Sequence, residues 1–137
     1  MQKQTKVSAA IIFENGKVFA VKRGACKYDY LAHKYEFPGG KFEEGESGED
    51  CIKREMKEEL LMDVNVRSLF AVERFSYPDF TVELYLYECE RLSEFTLTEH
   101  ESYAWFSPCE LEPNEWAPAD AEILRSIKRV FGGEENA

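Results

Sequence analysis

Gly40 to Met62 reads GKFEEGESGEDCIKREMKEELLM, a segment in which carboxylates crowd one side of a helix. Ser47 opens an S-x-x-D pattern with Asp50, a variant of the capping box, and predicts that the helix starts there. Ile52, Met56 and Leu60 then recur at i, i+4 and i+8 and supply an apolar stripe to bury. Glu55, Glu58 and Glu59 fall at i, i+3 and i+4, so they project within about 100° of one another. Like charges at that spacing cost a helix roughly a few tenths of a kcal/mol. A bound divalent cation offsets the repulsion, and ligands that are all oxygens imply a hard one, Mg²⁺ or Mn²⁺. The glutamates border the apolar stripe, which places the cluster over a sheet rather than out in bulk water.

The rest of the chain bounds the partners of such a site. With 137 residues, 44% apolar and 14% aromatic, residues 1–137 are expected to form one folded domain with its own core. No apolar run approaches the roughly 20 residues of a membrane span, and MQKQTKV lacks the apolar segment of a secretory signal. Cys26, Cys51, Cys89 and Cys109 show no CxxC spacing, which fits reduced thiols in a cytoplasmic protein. A net charge of −10 argues against polymeric nucleic acid as a partner. It leaves room for a small nucleotide whose phosphates a metal bridges to acidic side chains.

Around the helix the patterns are mainly those of strands. Val7 to Phe13 and Lys17 to Arg23 read as a hairpin across Glu14-Asn15-Gly16, since Asn-Gly between two such runs signals a tight turn. Gly24 to Lys34 reads as a loop carrying Tyr28 and Tyr30, and Tyr35 to Phe37 as a short strand ended by Pro38-Gly39-Gly40. Leu69 to Phe75, Thr81 to Cys89 and Tyr103 to Phe106 are further strands, and Pro108 to Leu111 one helical turn. Ala119 to Phe131 reads as a single amphipathic helix, and Gly133 to Ala137 as a frayed tail. Strands on either side of one internal helix, with a closing helix, predict a mixed sheet with helices on both faces.

Gly40, five residues, Glu46, seven residues, then Arg54-Glu55-Met56-Lys57-Glu58-Glu59 resembles the Nudix box. Leu61, followed by Met62, stands where that family usually has glycine, a departure at the helix end that removes no catalytic side chain. The resemblance implies an α/β/α sandwich around a mixed sheet. It also implies metal ligation by Glu55, Glu58, Glu59 and the Gly40 carbonyl, with Glu46 as a further ligand or orienting group. Arg54 lies four residues before Glu58 and can fix a carboxylate by charge-assisted hydrogen bonds. Either Glu55 or Glu58 would take the proton of the attacking water. Glu99 or Glu101, flanking His100, would add a carboxylate to the site, with Glu99 the better match by its spacing to Trp105.

Other residues are similar to the MutT-like branch, and especially to its CTP pyrophosphohydrolases. Tyr35-Glu36-Phe37-Pro38-Gly39-Gly40-Lys41 matches the segment ahead of the box, and Lys22-Arg23 the place of a basic phosphate contact. Lys41 can face a phosphate as well. Trp116-Ala117-Pro118-Ala119-Asp120 looks like that branch's base-recognition segment. Asp120 can accept from an exocyclic amine such as cytosine N4, or cap the terminal helix, or do both. Tyr77, Phe80 and Trp116 can stack on a base or pack in the core; His33 and His100 read as surface residues.

The implied activity is Mg²⁺- or Mn²⁺-dependent hydrolysis of a nucleoside triphosphate to monophosphate and pyrophosphate, with CTP, dCTP or 5-methyl-dCTP preferred. Hydrolysis of 8-oxo-dGTP, hydrolysis of an ADP-ribose-like diphosphate, and nucleotide binding without turnover are the alternatives. The active form would be a monomer or a homodimer, with no membrane partner.

Overall fold

The computed structural model describes residues 3–132, so the segment read as a frayed tail lies outside the described residues. The chain divides into two compact units, one running up to Ile12 and resuming over Pro38–Thr98, the other made of Phe13–Phe37 and the residues from Glu99 on. The first strand, β1 (Lys3–Glu14), runs through the boundary between them.

In the first unit β1 pairs antiparallel with β4 (Gly39–Lys41) and parallel with β6 (Phe80–Arg91), which pairs antiparallel with β5 (Val64–Ser76). Parallel and antiparallel ladders together make the expected mixed sheet. The strand β4 corrects the expectation that Pro38-Gly39-Gly40 only ends a strand. A Gly pair has little strand propensity of its own, and its pairing of Val7, Ser8 and Ala9 with Lys41, Gly40 and Gly39 is purely tertiary. β5 and β6 are longer than their apolar runs, because cross-strand pairing carries them through polar residues at their ends.

Helix α1 (Gly48–Leu60) begins where the capping pattern places it, with the Ser47 hydroxyl accepting from the Asp50 amide at 3.1 Å. It packs on β4, β5 and β6 through Ile52, Met56 and Leu60, each fully buried. Its last carbonyls are satisfied from outside the helix. The Thr96 amide donates to Leu60 O at 2.7 Å, and the Thr98 amide and hydroxyl donate to Glu59 O.

Leu61 keeps the turn that glycine normally makes. Its φ is 52° and its ψ 39°, in the left-handed region, and its amide donates to Lys57 O. A leucine there costs about 1 kcal/mol relative to glycine, and its side chain is 54% exposed, so burial repays little. Leu61→Gly is therefore expected to stabilise the protein by about 0.5–1 kcal/mol. The check is the urea midpoint, and a lowered midpoint would mean that the leucine covers apolar surface worth more than the strain.

In the second unit β2 (Lys17–Lys22) pairs with the end of β1 across the expected turn, where Asn15 and Gly16 both have positive φ (53° and 78°). β2 also pairs antiparallel with β3 (Tyr35–Glu36) and β7 (Ser102–Phe106). The terminal segment is not one helix. α2 (Pro118–Ala121) and α3 (Leu124–Phe131) are separated at Glu122 and Ile123, where the Ile123 amide bonds three residues back to Asp120 O and tightens the turn. Ile123, Leu124 and Ile127 are buried, and Phe131 packs on Phe13 with ring centroids 4.7 Å apart. Among the described residues no helix is long and apolar enough to cross a membrane.

Candidate active site

In the first unit the box residues gather around one guanidinium. Arg54 Nε and Nη2 donate to the two carboxylate oxygens of Glu46 at 2.8 and 2.9 Å, and Nη2 also reaches the Lys41 carbonyl at 3.0 Å. Nη1 donates to Glu55 Oε2 at 3.0 Å and to Glu58 Oε1 at 3.1 Å. The helical spacing explains the last contact, since residues four apart share a face. The remainder depends on the loop before α1, where Glu46 turns back to accept the Glu43 amide at 2.9 Å. The hydrogen bond from Arg54, helped by that amide, holds the Glu46 carboxyl down at a pKa of about 2. In turn, hydrogen bonding to Glu46 raises the Arg54 pKa above its ordinary value.

Glu55 is the buried member, with its side chain 10% exposed, whereas that of Glu58 is 58% exposed. Gly40 makes the burial of Glu55 possible. A Cβ built on Gly40 would overlap the Glu55 carboxyl group, so the absence of a side chain there is what lets the carboxylate lie against β4. The Gly40 carbonyl is approached by the Cys51 thiol at 3.6 Å, and burial pushes that thiol up to about 11. Lys41 is exposed, and it joins the cluster through its carbonyl. Phe80 is half-buried with its ring 5.1 Å from that of Tyr77, which is buried.

These groups fit a hard divalent cation by donor chemistry. The side chains are carboxylates, two of them converge on one positive nitrogen, and the Gly40 cradle leaves room for Glu55 beneath them. As arranged, no three His, Cys, Asp or Glu side chains among the described residues stand together as a finished metal-binding group. The guanidinium sits between the carboxylates instead.

A second cluster belongs to the second unit. Arg23 Nη2 donates to Glu36 Oε1 at 2.8 Å, pairing the end of β2 with β3. Burial works against the Arg23 charge, but the Glu36 carboxylate outweighs it and raises the pKa. Asp120 is the third residue of α2 and does not cap it; Ala117 holds the cap position. Its carboxyl is buried and accepts the Phe37 amide at 3.0 Å. Burial, reinforced by the nearby Glu36 charge, raises the Asp120 pKa to about 8 in spite of Phe37 and Arg23.

His100 corrects the surface expectation, because its side chain is only 9% exposed and its Nε2 lies 3.8 Å from Glu36 Oε2. His33 is exposed as expected and bonds Glu101 through Nδ1 at 2.7 Å; Glu99 is exposed in the loop before β7. Trp116 is buried against Phe37, with centroids 4.8 Å apart, so its ring packs in the core. Sequence reasoning overlooked Glu36 as a site residue. The available signal was an acid between Tyr35 and Phe37 in a two-residue strand, facing a basic pair at the end of β2.

Residues 3–127 match the NUDIX domain model. The chain is 32% identical over 130 residues to the 8-oxo-dGTP diphosphatase of Escherichia coli, covering 93% of this chain and 99% of that one. It is 30% identical over 126 residues to the CTP pyrophosphohydrolase of the same organism, covering 91% and 92%. Among solved structures it is similar to the ORF135 protein of E. coli, with a TM-score of 0.80, 28% identity, and 97% and 96% of the two chains covered.

Proposed function

The chain belongs to the Nudix family, and we propose that it hydrolyses nucleoside triphosphates to monophosphate and pyrophosphate, with a cytosine nucleotide (CTP, dCTP or 5-methyl-dCTP) preferred. The observation that carries the chemistry is the convergence of Glu46, Glu55 and Glu58 on Arg54. A divalent cation, Mg²⁺ or Mn²⁺, held by Glu55, Glu58 and Glu59 with the Gly40 carbonyl, would neutralise phosphate oxygens and make a bound water more acidic. Glu58 is exposed enough to meet water and takes its proton, while Glu55, held under Gly40, supplies a fixed negative charge. Arg54, braced by Glu46, holds both carboxylates in place. Lys41 and Glu99 are assigned to phosphate and cation contacts respectively, on their positions in the family pattern. The whole chain is taken to work as one Nudix domain, monomeric or dimeric, and the free thiols favour the cytoplasm.

Asp120 supports the base preference. A carboxyl oxygen accepts a hydrogen bond in either protonation state, so the N4 amine of cytosine can donate to it. Arg23, held by Glu36, and Phe80 are the other base- or phosphate-side contacts we assign. The second reading, 8-oxo-dGTP, is supported by the 8-oxo-dGTP diphosphatase of E. coli, and an oxidised guanine also offers amine and imide donors.

The test is pyrophosphate release with Mg²⁺ from CTP, dCTP, 5-methyl-dCTP, UTP, 8-oxo-dGTP and ADP-ribose. CTP-type substrates are expected to give the highest kcat/KM, and Asp120→Ala is expected to lower it for CTP at least about tenfold more than for UTP, which lacks the amine. A preference for 8-oxo-dGTP would replace the cytosine assignment, and AMP from ADP-ribose alone would replace the triphosphate one.

A further inference from the structure

We propose that Asp120 reads the base as a neutral carboxyl group, donating a hydrogen bond from Oδ1 to an unprotonated ring nitrogen, so that the site takes bases in which such a nitrogen stands beside an exocyclic amine. This deepens the assignment of Asp120 to the base and rests on it. The Asp120 side chain comes from α2 and the residue is 7% exposed, while its charged neighbours come from the end of β2 and from β3. Arg23, the cation of this cluster, makes its ion pair with Glu36 Oε1 at 2.8 Å, and the other Glu36 oxygen lies 3.8 Å from His100 Nε2. Two carboxyl groups beside one guanidinium leave a negative charge in excess. A carboxyl held out of water next to another carboxylate keeps its proton. Burial and Glu36 outweigh Arg23 and the amides of Phe37 and of Asp120 itself, and the Asp120 pKa stands at about 8.

The Phe37 amide decides which oxygen carries that proton. It donates to Oδ2 at 3.0 Å. A carbonyl oxygen accepts better than a hydroxyl oxygen, so Oδ2 stays an acceptor and the hydrogen belongs on Oδ1. Cytosine matches this order, because its N4 amine donates and its neighbouring N3 accepts. One carboxyl group can then make two hydrogen bonds, N4–H to the second lone pair of Oδ2 and Oδ1–H to N3. Uracil carries the reverse order, an O4 acceptor beside an N3–H donor, and so does the O6–N1 edge of guanine. A carboxyl free to move its proton would serve both orders. Here the move would set a hydroxyl against the Phe37 amide, and that loss of a good acceptor separates the two classes of base. Ionisation would blur the distinction, since a carboxylate accepts from N4–H and N3–H alike and repels the N3 lone pair.

Substrate analogues test the donor role in the wild-type protein. With Mg²⁺ below about pH 7, 3-deaza-CTP, in which a C–H replaces N3 and the amine stays, is expected to show a kcat/KM at least about tenfold below that of CTP. An Asp120 that only accepts requires 3-deaza-CTP and CTP to be hydrolysed alike, and that result would overturn the proposal. The ratio of kcat/KM for CTP to that for UTP gives a second readout in which the shared phosphate chemistry cancels. It is expected to fall about threefold or more between about pH 6 and about pH 9 as the Asp120 proton leaves. In Asp120→Asn, whose amide does not titrate, the ratio is expected to stay level within about twofold over the same range. A wild-type ratio that stays level as well would sink the donor role. Equal kcat/KM for CTP and UTP at every pH, unmoved by Asp120→Ala, would remove the assignment of Asp120 to the base itself, and the donor role with it.

Discussion

Replacing Glu58 by glutamine is expected to lower kcat for nucleotide hydrolysis by about 10²- to 10⁴-fold, the usual contribution of a positioned general base. Glutamine keeps the size of the side chain and an acceptor for Arg54 Nη1, and removes only the charge and the ability to take a proton. The fold should hardly notice. Glu58 is 58% exposed and its i, i+4 pair with Arg54 is of a kind worth about 0.3–0.5 kcal/mol. The matched change Glu55→Gln separates the two candidates. Glu55 is buried under Gly40 with Arg54 as its charged partner, so its loss should lower both activity and stability. The measurement is single-turnover hydrolysis of the best substrate with Mg²⁺, beside urea unfolding of each variant. A Glu58→Gln protein that retains more than a tenth of wild-type kcat would transfer the base role to Glu55.

Why Glu58 was legible from sequence and Glu36 was not is a matter of distance along the chain. The spacing of Glu55 and Glu58, the Ser47 cap and the Ile52-Met56-Leu60 stripe are all encoded within one helix, and helical geometry converts them into faces without further information. The Asn15-Gly16 turn is similarly local. β4 and the second cluster are not. Arg23 and Glu36 are 13 residues apart, and Asp120 meets the Phe37 amide from 83 residues away. No periodicity carries such pairings, and they arise only when β2, β3 and α2 are placed by their cores. His100 was misplaced for the same reason: a polar residue between two acids reads as solvated, until the fold turns it toward Glu36. The break at Glu122 and Ile123 left no mark either, since the apolar spacing continues through it. Leu61 is the opposite case, in which a departure from the family pattern is plain in the sequence and the residue takes the left-handed conformation that glycine favours, at a cost in strain.

Asp120→Asn is expected to change how stability depends on pH. In the folded protein the carboxyl has a pKa of about 8 against an ordinary value of 3.8, chiefly because burial disfavours its charge. Between those values the folded state holds a proton that the unfolded chain releases. The stabilisation is thus complete below about pH 4, and it falls as pH rises toward 8. One proton of difference corresponds to about 1.4 kcal/mol per pH unit. Asparagine keeps an acceptor for the Phe37 amide and does not titrate, so it removes this slope while preserving the contact. Urea unfolding of both proteins at pH 5, 6 and 7 isolates the Asp120–Glu36 pair, because the titrating groups away from it are shared and largely cancel in the difference. Relative to Asp120→Asn, wild type is expected to lose about 1 kcal/mol or more of stability for each unit of pH. A difference constant across that range would mean that Asp120 is ionised in the native protein. It would then meet a base only as a hydrogen-bond acceptor, and an amine-bearing edge would be the only kind it could select.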